Sequence, residues 1–251
     1  MAVGGLLRLF DRSPEPAHLD VAHDGEIYRI AINRSTRSRR FTLRVRSASR
    51  DVLLTMPARA SLKSAREFAE RHAAWIGVRL KRLPRPVAFE HLAKTPLRGV
   101  DHTIVHRPGA RGVVWIEAGE RGPLLCVAGE RPHVARRVGD FLKREAVKDI
   151  EAAVVRHART IGVRPSRISV RDTVSRWGSC SAGGRLSFSW RLILAPPYVL
   201  DYLAAHEVAH MVHMNHSPKF WAVVGRASPD VKRAEAWLKA HGSSLHRYGA
   251  E

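Results

Sequence analysis

The chain has 251 residues and only two cysteines, with 43 Lys and Arg against 23 Asp and Glu for a formal charge of +20. That length supports one large domain or two small ones with a proper core. Two cysteines are too few for a disulfide framework or a C-x-x-C zinc ribbon, which points to a reducing compartment, by default the cytoplasm. The charge favours phosphate-bearing partners without specifying a function or a fold.

The opening MAVGGLLRLFDRSPEP has its apolar run broken by Arg8 and Asp11. It falls short of a secretory or membrane-spanning segment, so no membrane association is expected and residues 1–20 read as a loose tail. From Ile27 to Met56 the pattern is strand-like. In FTLRVR (41–46), Phe41, Leu43 and Val45 alternate with Thr42, Arg44 and Arg46, giving one buried and one wet face. Residues 29–50 hold eight arginines and no acid, a surface that is either simply solvated or a weak, salt-sensitive site for nucleic acid or nucleotide. Ser61 caps an amphipathic helix carrying Leu62, Ala65, Phe68, His72, Trp75, Ile76 and Leu80, which ends before Pro84 and Pro86. Residues 97–128 return to short apolar runs separated by Gly, Pro and Arg. These are more strands and tight turns, with His102 and His106 as isolated surface histidines.

Near Pro132 the texture changes to a long helical pattern, Val134 to Ala158, that ends at Gly162. A domain boundary is placed just before it, separating a β-rich region with one helix (21–131) from a C-terminal domain (132–251) in an α+β chain. Two strands follow, RISVRD (167–172) and RLSFSWRLI (185–193), joined by TVSRWGSCSAGG. Pro196 and Pro197 open a helix through the next motif, Ser217 and Pro218 open another, and a last helix runs from about Pro229 to His241.

That motif, HEVAHMVHMNH (206–216), puts four histidines into eleven residues. On a helix His206 and His210 lie one turn apart on one face and can direct nitrogens at one metal ion, while Glu207 sits beside them to take a proton from metal-activated water. The third ligand is His213 or His216. On an unbroken helix His213 would stand about 10.5 Å along the axis from His206, too far when nitrogens around one zinc are only about 3.4 Å apart. Asn215 suits a left-handed C-cap and Ser217-Pro218 an N-cap and first helical position, so His216 lies at a corner where the chain can turn back. The geometry favours His216 and leaves His213 as a surface residue or a hydrogen-bond partner of a ligand. Metzincins share the three-histidine spacing but have glycine where His213 stands, which argues against that family.

RDTVSRWGSCS (171–181), LSFSWRLILAPPYVLDYLAAHEVAH (186–210) and NHSPKFW (215–221) resemble, in order, the motifs of the YgjP-like group of zincin-fold metal-dependent hydrolases, relatives of the SprT-type metallopeptidases. The resemblance extends more weakly upstream, over roughly residues 25 to 245. It implies a zincin-like domain, one zinc per chain on His206, His210 and His216, and Glu207 as base. It also implies that the RWGSCS loop borders the cleft, with Arg176 binding a developing oxyanion or a substrate carboxylate or phosphate and Trp177 forming an apolar wall; the equal alternative is a structural hairpin loop, with Arg176 exposed and Trp177 in the core. Cys180 is not expected to bind the metal. The expected activity is zinc-dependent hydrolysis of a peptide or protein. The alternatives are phosphoanhydride hydrolysis of a nucleotide, with Arg176 and Arg191 holding the phosphates, and a nucleic-acid-associated module.

Overall fold

The computed structural model describes residues 17–46, 50–173 and 175–249. The chain divides into two compact units between Leu83 and Pro84.

The described residues of the first unit form a four-stranded sheet with two helices. Strands β1 (His18–His23) and β2 (Glu26–Ser35) form a hairpin closed by Asp24 and Gly25, both at positive φ (49° and 77°), the backbone that a two-residue turn of this hand requires. Residues 18–20 therefore belong to a strand and not to the expected tail, because Leu19 and Val21 are buried; residues 1–16 lie outside the described residues. With β3 (Thr42–Val45) and β4 (Val52–Pro57) the sheet order is β1-β2-β4-β3, with β2 parallel to β4. The alternation in 41–46 is as expected: Leu43 and Val45 are half-buried, while Thr42, Arg44 and Arg46 are exposed.

The single helix expected from Ser61 to Leu80 is two, α1 (Leu62–Arg71) and α2 (Ala73–Lys81). Ser61 caps the first as expected. His72 leaves the helical conformation at the junction, where its ring Nδ1 bonds the Phe68 carbonyl and competes with the backbone pattern. Ala65, Ala69, Ala73 and Ile76 pack on Ile30, Leu54 and Met56 to make this unit's core. Trp75, read as part of the apolar face, is 46% exposed.

The second unit contains β5 (Lys94–Leu97), β6 (Val100–Arg107), β7 (Val114–Glu117) and β8 (Leu124–Ala128) in the order β5-β6-β8-β7. The long helix α3 (Val134–Ile161) follows and ends on Gly162 at φ 79°, the left-handed cap that favours glycine. A second sheet has β9 (Arg167–Arg171), β10 (Gly178–Cys180) and β11 (Arg185–Ser189) in the order β10-β11-β9. Helices α4 (Pro197–Ala209), α5 (Pro218–Ala227) and α6 (Val231–His241) complete it.

The switch from strands to helix near Pro132, read in the sequence as a domain boundary, falls inside one core. Leu97, Ile104, Leu125 and Val127 pack with Val134, Val138 and Leu142 of α3, and the same cluster continues through Phe188 to Val199 and Val208. His102 is buried, with Nδ1 bonded to the Val100 carbonyl, and His106 bonds Gly129 through Nε2, so neither is the surface histidine expected. Among the described residues no helix is long and apolar enough to cross a membrane.

Candidate metal centre

Helix α4 opens on Pro197, whose missing N–H costs nothing at a first helical position. It is buried around most of its circumference: Val199, Leu200, Leu203, Ala204, Ala205, Val208 and Ala209 all lie in the interior. Such a helix is held by packing and not by one apolar stripe. His206 falls in its last turn and His210 is its C-cap.

The helix ends at Ala209, earlier than the corner at Asn215 that the sequence suggested, and Asn215 is not left-handed. The amides of Met211, Val212 and His213 bond back to the carbonyls of Val208 and Ala209, tightening the chain as it leaves the helix. Ser217 then accepts a bond from the Phe220 amide and Pro218 starts α5, as expected. His216 is carried back over α4 at this corner. Its ring centroid lies 5.2 Å from that of His206 and 4.8 Å from that of His210, and His206 and His210 are 4.9 Å apart. One nitrogen from each ring can be chosen so that all lie within 4.8 Å of one another, and the Nε2 atoms of His206 and His216 are 3.2 Å apart.

The rings are held from outside. Phe220, fully buried, packs against all three at centroid distances of 4.5 to 5.0 Å. Trp221 flanks His206 and His216. The Tyr202 hydroxyl lies 3.3 Å from His206 Nδ1 and donates to Glu235 Oε1 at 3.0 Å, so it accepts from Nδ1–H. His210 Nδ1 is 3.1 Å from the His213 carbonyl. The tautomers these acceptors select leave the Nε2 lone pairs of both residues free. His213 thus contributes through its backbone. Burial, aided by the other two histidines, lowers the His206 pKa to about 4, which keeps the ring neutral; burial lowers His210 as well.

Glu207 is 5% exposed. Its side chain lies directly against Gly178 of β10, where a Cβ would stand 2.5 Å from Oε1 and 2.6 Å from Cγ. Burial raises its pKa to about 7, and the positive charge of Arg176 opposes the shift. A carboxylate of near-neutral basicity therefore sits one residue from a three-imidazole cluster.

With this geometry in place, the comparison with known families decides the relationship. The sequence matches the family described as YgjP-like, metallopeptidase domain, over residues 39–241. The chain belongs to the YgjP-like metallopeptidase family. No curated protein matches it. Among solved structures, the metallopeptidase zymogen of Pyrococcus abyssi abylysin is similar with a TM-score of 0.34 and 19% identity, over 39% of this chain and 97% of that one.

The family assignment makes the α+β fold zincin-like and the chain a metallopeptidase at family level. Within this YgjP-like chain the other expected site residues part company. Arg176 is exposed and near enough for its charge to act on Glu207. Trp177 is half-buried and stacks on His246 at 4.9 Å, so it ties the loop to the C-terminal segment and does not stand free as a wall. Arg191 is buried and donates to Asp172 and to the carbonyls of Leu245 and Tyr248; it clamps the chain end. Gly178, Tyr202, Glu235 and Phe220 were not anticipated. Tyr202 stands four residues before His206, the spacing that could have revealed it.

Proposed function

We propose that the protein is a zinc-dependent metallopeptidase that cleaves peptide bonds in a peptide or protein substrate. His206, His210 and His216 hold one zinc ion per chain and Glu207 is the general base. The observation that carries this reading is the convergence of three imidazoles, two with Nε2 atoms 3.2 Å apart, beside a buried carboxylate. The donor set fits zinc: three imidazoles, two of them with Nε2 atoms 3.2 Å apart, close to the roughly 3.4 Å that bonds near 2.1 Å on a tetrahedral ion imply, with a fourth position left for water.

Zinc bound there supplies Lewis acidity, acidifying water and polarising the scissile carbonyl. Glu207 accepts the proton of the attacking water and returns it to the leaving amine, a task that suits a carboxylate raised to about 7. Arg176 stabilises negative charge developing on the substrate or binds a substrate carboxylate. Cys180, half-buried, has its thiol pKa raised by burial and by the charge of Glu207, and it stands outside the three-histidine group, which with a water completes a catalytic zinc site. Cys126 and Cys180 are both free thiols, which suits the cytoplasm.

Phosphoanhydride hydrolysis is the weaker reading, since Arg191, one of its two phosphate holders, is spent on Asp172 and the chain end. The test is parallel turnover of an unfolded protein and of nucleoside triphosphates by the zinc-loaded chain. Cleavage of the unfolded protein that Glu207→Gln reduces by about 100-fold or more, with zinc content unchanged, is expected. Triphosphate turnover alone would replace the peptidase reading.

A further inference from the structure

Between Asn33 and Arg46 the chain has six arginines and no acid. One of them, Arg34, is structural: its guanidinium donates to the carbonyls of Ala58 and Ala60 and pins the turn that leads from β4 into α1. The others are exposed. Among the described residues Arg37, Arg39, Arg40 and Arg44 have no acidic partner and no side-chain hydrogen bond. Elsewhere Arg29, Arg98, Arg107, Arg136, Arg156, Arg191 and Arg233 each meet a carboxylate.

The topology gathers these cations at one end of the first unit. Ser35, the last residue of β2, lies opposite Pro57 at the end of β4, and Thr42, the first of β3, lies opposite Thr55. Residues 36–41 therefore cross the end of β4, where residues 58–61 lead into α1. Arg59 is exposed in that turn and Lys63 in the first turn of α1, and that first turn has no acidic residue. The amino end of α1 adds its own positive potential. From this end a floor of small side chains extends over the sheet face away from the helices: Ala31, Asn33, Thr42 and Thr55, with Arg44 at its edge beside Leu53.

We propose that this end of the first unit docks the sugar–phosphate backbone of a nucleic acid without reading its bases. Guanidinium groups and helix amino ends are what phosphate oxygens meet in such contacts. The floor presents no Phe, Tyr or Trp on which a base could stack, so the binding is tolerant of sequence. The exposed large apolar residues described in this unit, Ile27, Trp75 and Val78, lie at the start of β2 and on α2, and none lies among the arginines. A membrane-docking patch would offer such side chains for insertion next to its cations.

The experiment measures binding of the full chain to a labelled DNA duplex and to a second duplex of scrambled sequence as salt is raised, with anionic phospholipid vesicles in a parallel arm. Arg37, Arg39, Arg40 and Arg44 are changed together to Ala. A control of equal charge loss changes Arg111, Arg121, Arg164 and Lys239, all exposed in the second unit. The two duplexes should bind alike, and the first variant should lower the slope of log affinity against log salt by about three to four, near 0.9 per lost phosphate contact, while the control keeps the original slope. Equal losses in both variants, no duplex binding even at low salt, a preference for one of the two sequences, or tighter binding to vesicles than to duplex would each overturn the proposal.

Discussion

The two units handle charge in opposite ways. The first leaves a row of arginines in water, unpaired with any described carboxylate, on a sheet whose core is wholly apolar. The second has exposed cations too, but it also takes several ionisable groups out of water: His206 is kept neutral, the Glu207 carboxyl is raised to near neutrality, Arg191 is clamped to Asp172, and His157 of α3 bonds Asp201 of α4. A solvated cation contributes little to the fold, and it stays available to a partner. A desolvated group is tied to its neighbours, so its chemistry and the stability of the unit are set by the same contacts.

The hardest test of that contrast is at the corner between α4 and α5. His216→Ala should lose zinc on metal analysis and with it all turnover, because two imidazoles do not define a site. His213→Ala should keep both, since the bond His210 receives comes from the His213 backbone. If the pair behaved the other way round, the ligand set would be wrong. Next in size is Gly178→Ala. The added methyl collides with the Glu207 carboxyl, so turnover should drop about 100-fold while zinc content and KM hold, as expected when a base is displaced. Unchanged turnover would mean that Glu207 has room to move and that Gly178 does not position it.

The third expectation concerns the metal-free protein. The folded carboxyl of Glu207 titrates at about 7, and in the unfolded chain at about 4.3. Between those values the unfolded form releases a proton that the folded form keeps, so stability falls as pH rises through that window and the loss is complete above it. Glu207→Gln removes this loss. In the presence of chelator, the variant should gain on the wild type by up to about 3 kcal/mol between pH 4.5 and pH 8, read from denaturant midpoints; a constant difference across that range would show the carboxyl to be solvated. The smallest effect is expected in the first unit. Changing Arg37, Arg39, Arg40 and Arg44 to Ala should move stability by no more than about 0.5 kcal/mol, and a larger loss would show these arginines to be part of the fold.

What could be read from the sequence was whatever short-range periodicity determines. The four residues proposed for the centre lie within eleven positions, so the one-turn pairing of His206 with His210 is local, whereas the choice of His216 over His213 assumes a helix running on to Asn215, and the helix ends at Ala209. The Gly162 cap and the alternation of Leu43 and Val45 are equally local. The hairpin at Asp24-Gly25 is marked by a recognisable turn pair, yet its first strand begins at His18, inside the stretch that reads as a tail. Arg191 was misread for a different reason: its partners are Asp172 and the carbonyls of Leu245 and Tyr248, 19 to 57 positions away, and no local pattern announces them. The same distance hides the meeting of Glu235 with Tyr202 and of Gly178 with Glu207. The boundary placed before residue 132 took a change of element for a change of core.

The way α4 is buried also bears on how quickly the centre exchanges its ion. Two of the proposed ligands sit on a helix packed on nearly every side, whose amides can exchange with solvent only when much of the second unit opens. The third, His216, is exposed and stands in the irregular corner before Ser217. Release of the ion therefore has a cheap route and an expensive one. With zinc held there as proposed, a chelator should strip it at a rate set by excursions of residues 213–217 and indifferent to global unfolding.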